Sequence, residues 1–129
     1  MDHLEHVRSF RELTVYKKVR ALARRVFDLS KTFPAEEAYS LTSQIRRASR
    51  SIGAQIAEAW AKRRYEKHFL SKLTDADAEQ QETVHWIVTA MDCDYISKEE
   101  AARIVADSKA LRGERRWVAP MVSRTTSGP

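Results

Sequence analysis

Cysteine occurs once in 129 residues, as Cys93, which excludes an intrachain disulfide and any cysteine-rich zinc site. Glycine and proline occur three times each, and a chain so poor in turn punctuation reads as all-helical rather than as strands joined by tight turns. No run of about 18 apolar residues is present to span a bilayer, and the first residues lack the apolar segment of a secretory signal. A cytoplasmic, reduced protein without membrane contact is the expectation. A Gly-rich phosphate loop, a serine-nucleophile motif and a His-Glu-x-x-His pair are all missing, so neither an enzyme nor a cofactor is expected.

What is present is helical periodicity. At 14.9 kDa the chain has room for one core, and its 43% apolar and 32% charged residues suit a soluble folded domain. Thr14 is placed to cap a first helix in which Val15, Val19, Leu22, Val26 and Leu29 recur at three-four spacing as far as Pro34. Residues 36–40 lead into a second helix, with Leu41, Ile45, Ala48, Ile52 and Ile56 on one face. Gly53 lies inside it, a position that costs about 1 kcal/mol relative to Ala unless close packing needs the small residue.

Between Ile56 and Arg112 there is neither Gly nor Pro, so length decides where the second helix stops. One helix over residues 40–94 would run on the order of 80 Å, too long for this domain, so a turn is predicted within residues 61–67. The third helix then carries Phe69, Leu73, Ala76, Val84, Ile87 and Met91 inward and ends near Asp94 and Tyr95. Ser97 with Glu100 forms a capping box for a fourth helix through Ala101, Ile104, Ser108, Leu111 and Val118, up to Pro120. The expected organisation is a polar lead-in over residues 1–12, an antiparallel up-down-up-down four-helix bundle over 13–121, and a disordered tail over 122–129.

Charge is unevenly divided: residues 1–68 carry a net +7 and residues 69–129 a net −2, within an overall +5. Arg46, Arg47 and Arg50 fall within roughly 100° on the helical wheel, away from the Leu41 to Ile56 stripe, and Lys62, Arg63 and Arg64 follow at the predicted turn. Guanidinium groups pair bidentately with phosphate oxygens, and Lys or Arg contacts release counterions, which makes these six residues the candidate contacts to RNA or DNA. The alternative is a solvated face, or ion pairs to Glu58, to a neighbouring subunit or to an acidic protein partner. No aromatic stacking platform of the RNP kind occurs, so base-specific reading of single strands is not expected.

Apolar surface exceeds what one core can use. Trp86, Ile87 and Val88 are consecutive and sweep roughly 200° of a helix, and Tyr16, Phe27 and Trp60 flank the other stripes. Self-association through Tyr16, Phe27, Trp60, Trp86 and Val88 is the simplest use for that surplus. Glu82 and His85 form a single Glu-x-x-His element, whereas a di-iron bundle needs two such elements and two further glutamates, so no metal is expected. Glu82 is read instead as a buried acid paired with an arginine. Cys93, near a helix end, is read as a small core residue.

Several ordered motifs are also similar to a known family. Phe10-Arg11-Glu12-Leu13, Tyr16-Lys17, Phe33-Pro34 with Glu37 and Tyr39, and Leu41-Thr42-Ser43-Gln44-Ile45-Arg46-Arg47-Ala48 are followed by Ser51-Ile52, Ile56-Ala57-Glu58, Glu82-Thr83, Trp86-Ile87 and Tyr95-Ile96. The whole, over residues 10–111, resembles the four-helix-bundle proteins encoded in intervening sequences of bacterial large-subunit rRNA genes. The resemblance implies a homopentamer around a central channel with basic side chains facing nucleic acid. It also implies kinship to accessory proteins of diversity-generating retroelements, whose partners are a reverse transcriptase and nucleic acid. Gln55 and Ala59 stand where the family commonly has Asn and Gly, from which the second helix is expected to continue through Trp60.

Overall fold

The computed structural model of the chain describes residues 7–111. Val118, Pro120 and the expected tail lie outside the described residues, as do the first six residues of the lead-in. Among the described residues there are four α-helices and no strands, and no helix is long and apolar enough to cross a membrane.

A 3-10 turn over Phe10–Glu12, capped by Ser9 Oγ accepting from the Arg11 N–H, delivers the chain to α1, Thr14–Ser30. Thr14 is not the cap: that position belongs to Leu13, whose extended backbone buries an apolar side chain instead of offering a hydroxyl. Val15, Val19, Leu22 and Val26 are buried as their spacing requires, and Leu29 packs at the margin. The N–H groups of Lys31, Thr32 and Phe33 close the helix end on the carbonyls of Asp28, Leu29 and Ser30, and Pro34 admits no further turn.

The connection to the second helix winds as a 3-10 turn, Ala35–Glu37, then a π-turn, Ala38–Thr42, which merges into α2, Ser43–Ala61. The wide π-turn brings Leu41 into the core ahead of Ile45, Ala48, Ile52 and Ile56. Helix α2 is central, packing on α1 along one flank and on α3 along the other. It runs one residue past Trp60, as expected with Ala59 in place of a glycine, and the predicted turn occupies residues 62–65.

Helix α3, Glu66–Asp92, buries Phe69, Ala76, Gln80, Thr83, Ile87 and Ala90, with Leu73 half-buried on the same face. Val84 and Met91, expected inward, are only half-buried, because the three-four rhythm passes through Thr83 and Ala90 and leaves their neighbours about 100° off the stripe. The two buried polar residues of α3 are satisfied: Gln80 Nε2 donates to the Ser108 carbonyl, and Thr83 Oγ1 donates to the Glu79 carbonyl at 2.9 Å. Cys93 is exposed rather than in the core, since α3 has already ended and its inward stripe stops at Ala90. Asp94 takes a left-handed backbone (φ 60°), a conformation a short polar side chain tolerates, and the Tyr95 N–H returns to the Ala90 carbonyl at 2.9 Å.

The capping box forms as read: the Glu100 N–H donates to Ser97 Oγ at 3.1 Å, and the Ser97 N–H donates to Glu100 Oε1 at 3.2 Å. It opens α4, residues 98–111, which buries Ala101, Ile104, Ser108 and Leu111. Gln80 ties α4 to α3, and the Arg25 to Asp107 ion pair ties it to α1, closing the antiparallel bundle.

Candidate functional site

The arginines that share an arc on the wheel of α2 are separated by its two neighbours. Arg46 and Arg50, four residues apart, lean to the α1 flank. Arg47, one residue on, leans to α3, where its guanidinium donates to Glu79 at 3.3 Å and to Glu82. Glu82 also accepts from the Trp86 indole N–H at 3.0 Å. That indole bond, followed by the Arg47 guanidinium, holds the Glu82 carboxyl below its ordinary range, and Glu82 in turn raises Arg47. Glu82 is thus paired with an arginine as expected but is half-buried rather than buried, its carboxylate lying on the outer side of α3, while Glu58 pairs with Lys72 at 3.4 Å and not with the arginine cluster. His85 rests edge-on against Trp86, with centroids 4.7 Å apart.

On the α1 flank four cations converge on one half-buried ring. Around the Phe27 centroid lie Lys31 Nζ at 4.7 Å, Arg46 Cζ at 4.7 Å, Arg50 Cζ at 5.4 Å and Arg24 Cζ at 6.0 Å. Arg46 is further fixed by donating from Nε to Ser30 Oγ at 2.7 Å, whose own hydroxyl donates to the Phe27 carbonyl at 2.8 Å. Asp28 is the acid of this group, bridging Arg24 at 3.2 Å and Lys31 at 3.5 Å. The Arg24 hydrogen bond foremost holds the Asp28 carboxyl low. Among the described residues neither Arg46 nor Arg50 pairs with a carboxylate.

The energetics of this cluster favour an anion. Groups within 6.0 Å of one point are at most about 12 Å from each other, which costs at least about 0.3 kcal/mol per cation pair in water before screening. Each exposed cation–π contact returns about 0.5–1 kcal/mol, enough to hold the cations in place but not to neutralise them. A net charge of about +3 is left facing solvent, the electrostatic footprint of an anion-binding surface.

The turn cations behave differently from one another. Arg63 stacks on Trp60 at 4.1 Å and donates to the Trp60 carbonyl at 2.9 Å, whereas Lys62 and Arg64 are exposed. Of the apolar candidates for subunit contact, Trp60 is 9% exposed and Val88 40%. Trp86 is half-buried on Glu82, Phe27 lies under the cations, and Tyr16 stands edge-on to Phe10 with centroids 4.9 Å apart. Exposed Leu70 shares the outer face of α3 with Val88.

Reading α2 alone overlooks Arg24 and Lys31. Their spacing about Phe27 on α1, three before and four after, was the available signal. The connection between α1 and α2, at the same end of the bundle, carries a second polar tie: Tyr95 OH donates to Glu37 Oε2 at 2.8 Å and Ser40 Oγ to Glu37 Oε1 at 2.6 Å. These two bonds lower the Glu37 carboxyl, Ser40 foremost, and the Glu37 bond pushes the Tyr95 phenol up to about 12.

Residues 11–113 match the model of the 23S rRNA-intervening sequence protein family. The chain is also similar to a crystal structure of a protein of unknown function from the S23 ribosomal protein family of Bacteroides thetaiotaomicron, with 29% identity and a TM-score of 0.73. That likeness covers 82% of this chain and 95% of the other. No curated protein matches the chain.

Proposed function

The chain belongs to the 23S rRNA-intervening sequence protein family, and from that premise we propose that it is a non-enzymatic, homo-oligomeric helical bundle that binds RNA or DNA through a basic surface, as an accessory factor to another nucleic-acid protein. The observation that carries this reading is the gathering of Arg24, Lys31, Arg46 and Arg50 around Phe27 with Asp28 as their acid. Such a surface recognises phosphates by charge and releases counterions, without reading sequence. Lys62 and Arg64, exposed at the turn, extend the surface, while Arg47 and Arg63 are engaged by Glu79, Glu82 and Trp60 and serve the bundle.

Assembly is proposed to use the outer face of α3, where Leu70 and Val88 are exposed, and the family resemblance favours a pentamer. A ring repeats each cation cluster on every subunit, so individually weak contacts add as avidity along one strand. Light scattering coupled to size exclusion is expected to give a mass near that of five chains; a monomer persisting at high micromolar concentration removes the assembly. Binding to mixed-sequence RNA and DNA is expected to weaken steeply with salt. Equal binding by the Arg46→Gln, Arg50→Gln double variant at several salt concentrations removes the phosphate role.

A further inference from the structure

The cation cluster is one end of a longer feature. Along α1 the row Tyr16, Arg20, Ala23 faces the α2 row Ala57, Gly53, Arg50 running the other way, with a groove of about 350 Å³ between them, and both rows continue beyond it to Phe27 and Arg46. From Tyr16 to Phe27 the path is about 16 Å along the helix. Its Tyr16 end is apolar, walled by the edge-to-face pair of Phe10 and Tyr16 and floored by Gly53, Ala54 and Ala57. Arg20 lines its middle, and Arg50, at its other end, lies 5.4 Å from the Phe27 centroid, so that the cation cluster adjoins the groove there.

We propose that this groove takes a single-stranded nucleic acid, with a base laid against the Tyr16 ring in the apolar end and the following phosphates on Arg20, Arg50 and the Phe27 cations. The inference rests on the proposed nucleic-acid function and narrows it to unpaired strands. Three observations carry it. An aromatic face beside a cationic track is the arrangement by which strands are held without sequence preference, because every base offers a ring to stack. The groove joins an apolar compartment to a net positive one, which complements a base followed by its phosphates. Gly53 leaves the floor open although packing does not demand it: a Cβ there would stand 3.6 Å from both Tyr16 and Val19, an ordinary contact.

The test is fluorescence anisotropy of the full chain with three labelled probes of equal length: a mixed-sequence single strand, the same backbone with abasic sites, and a duplex. The base-bearing strand is expected to bind about tenfold more tightly than the abasic one. Tyr16→Leu, which keeps apolar volume without a ring, and Ala54→Leu, which fills the groove from an exposed helix position, are expected to erase that preference and leave the salt dependence unchanged. Tyr16→Phe is expected to retain it.

Equal binding of base-bearing and abasic strands overturns the inference while the charge-driven function stands, and so does tighter binding of the duplex. Displacement of the strand by polyglutamate of equal charge and length as effectively as by unlabelled strand assigns the groove to an acidic protein segment instead. Absence of binding to any probe overturns both readings together.

Discussion

Arg47 and the Arg46, Arg50 pair are adjacent in sequence and engaged on opposite flanks of α2, so replacing them separately is expected to separate stability from binding. Arg47 is 47% exposed, and its partners Glu79 and Glu82 are 21% and 35% exposed. At that exposure solvent screens much of the attraction, and two such contacts are worth about 1 kcal/mol together, well short of a buried pair. Arg47→Gln is therefore expected to lower the unfolding free energy by that amount, read as a lower urea midpoint with the slope unchanged, and to retain salt-dependent nucleic-acid binding. The acid limb carries a second signature. The folded-state carboxyl of Glu82 lies below its ordinary 4.5, so its contribution is present above that value and lost as pH falls through the lowered one. Arg47→Gln removes one cause of the lowering, and the loss of stability below pH 4.5 is expected to be shallower in the variant. Arg46→Gln with Arg50→Gln trades cation–π attraction at Phe27 for relief of crowding, with a net cost under about 1 kcal/mol. In binding, the same pair is expected to lower the slope of log affinity against log salt by about 1.4 for a single strand, two phosphate contacts being lost. Loss of binding in Arg47→Gln with retention in the double variant would refute this assignment of roles.

Ile52 is fully buried at the centre of α2, so Ile52→Asp is expected to cost several kcal/mol and to abolish the cooperative thermal transition followed by circular dichroism; an unchanged melt would displace the α2 stripe. Gly53→Ala replaces a helix-interior glycine at a site where the new methyl meets only ordinary contacts, and is expected to stabilise by about 1 kcal/mol, raising Tm by roughly 4 °C, with a fall in Tm telling against the α1–α2 spacing. With its phenol pushed up to about 12, Tyr95 holds its proton in the fold beyond the ordinary 10.0. The stability it contributes is thus complete below pH 10 and lost as pH rises from there to about 12. Ultraviolet titration is expected to show a late step from Tyr95, and Tyr95→Phe to remove both that step and the alkaline loss.

Much of the fold was legible because helix formation is written in short-range spacing. The stripes of α1 and α2, the turn within residues 61–67 and the Ser97 to Glu100 capping box depend on residues a few positions apart, and each stands where the periodicity put it. Thr83 in place of Val84 escaped because a polar residue inside a stripe gives no hydrophobic signal, and Gln80 is tolerated only where the Ser108 carbonyl, 28 residues on, comes to meet it. Cys93 was misplaced for a related reason: composition says a cysteine suits a core, but the helix end decides which way it faces.

The candidate site divides along the same line. The sequence alone established a basic first half, an arginine cluster on the polar side of α2 and a surplus of large apolar side chains, all properties of composition and of one helix at a time. Only the packing of α2 between two neighbours decided that Arg47 is taken up by Glu79 and Glu82, and that Arg46 and Arg50 join Arg24 and Lys31 over Phe27. A helical wheel assigns directions around an axis, but which direction meets a carboxylate and which a ring is set by contacts between residues far apart in the chain.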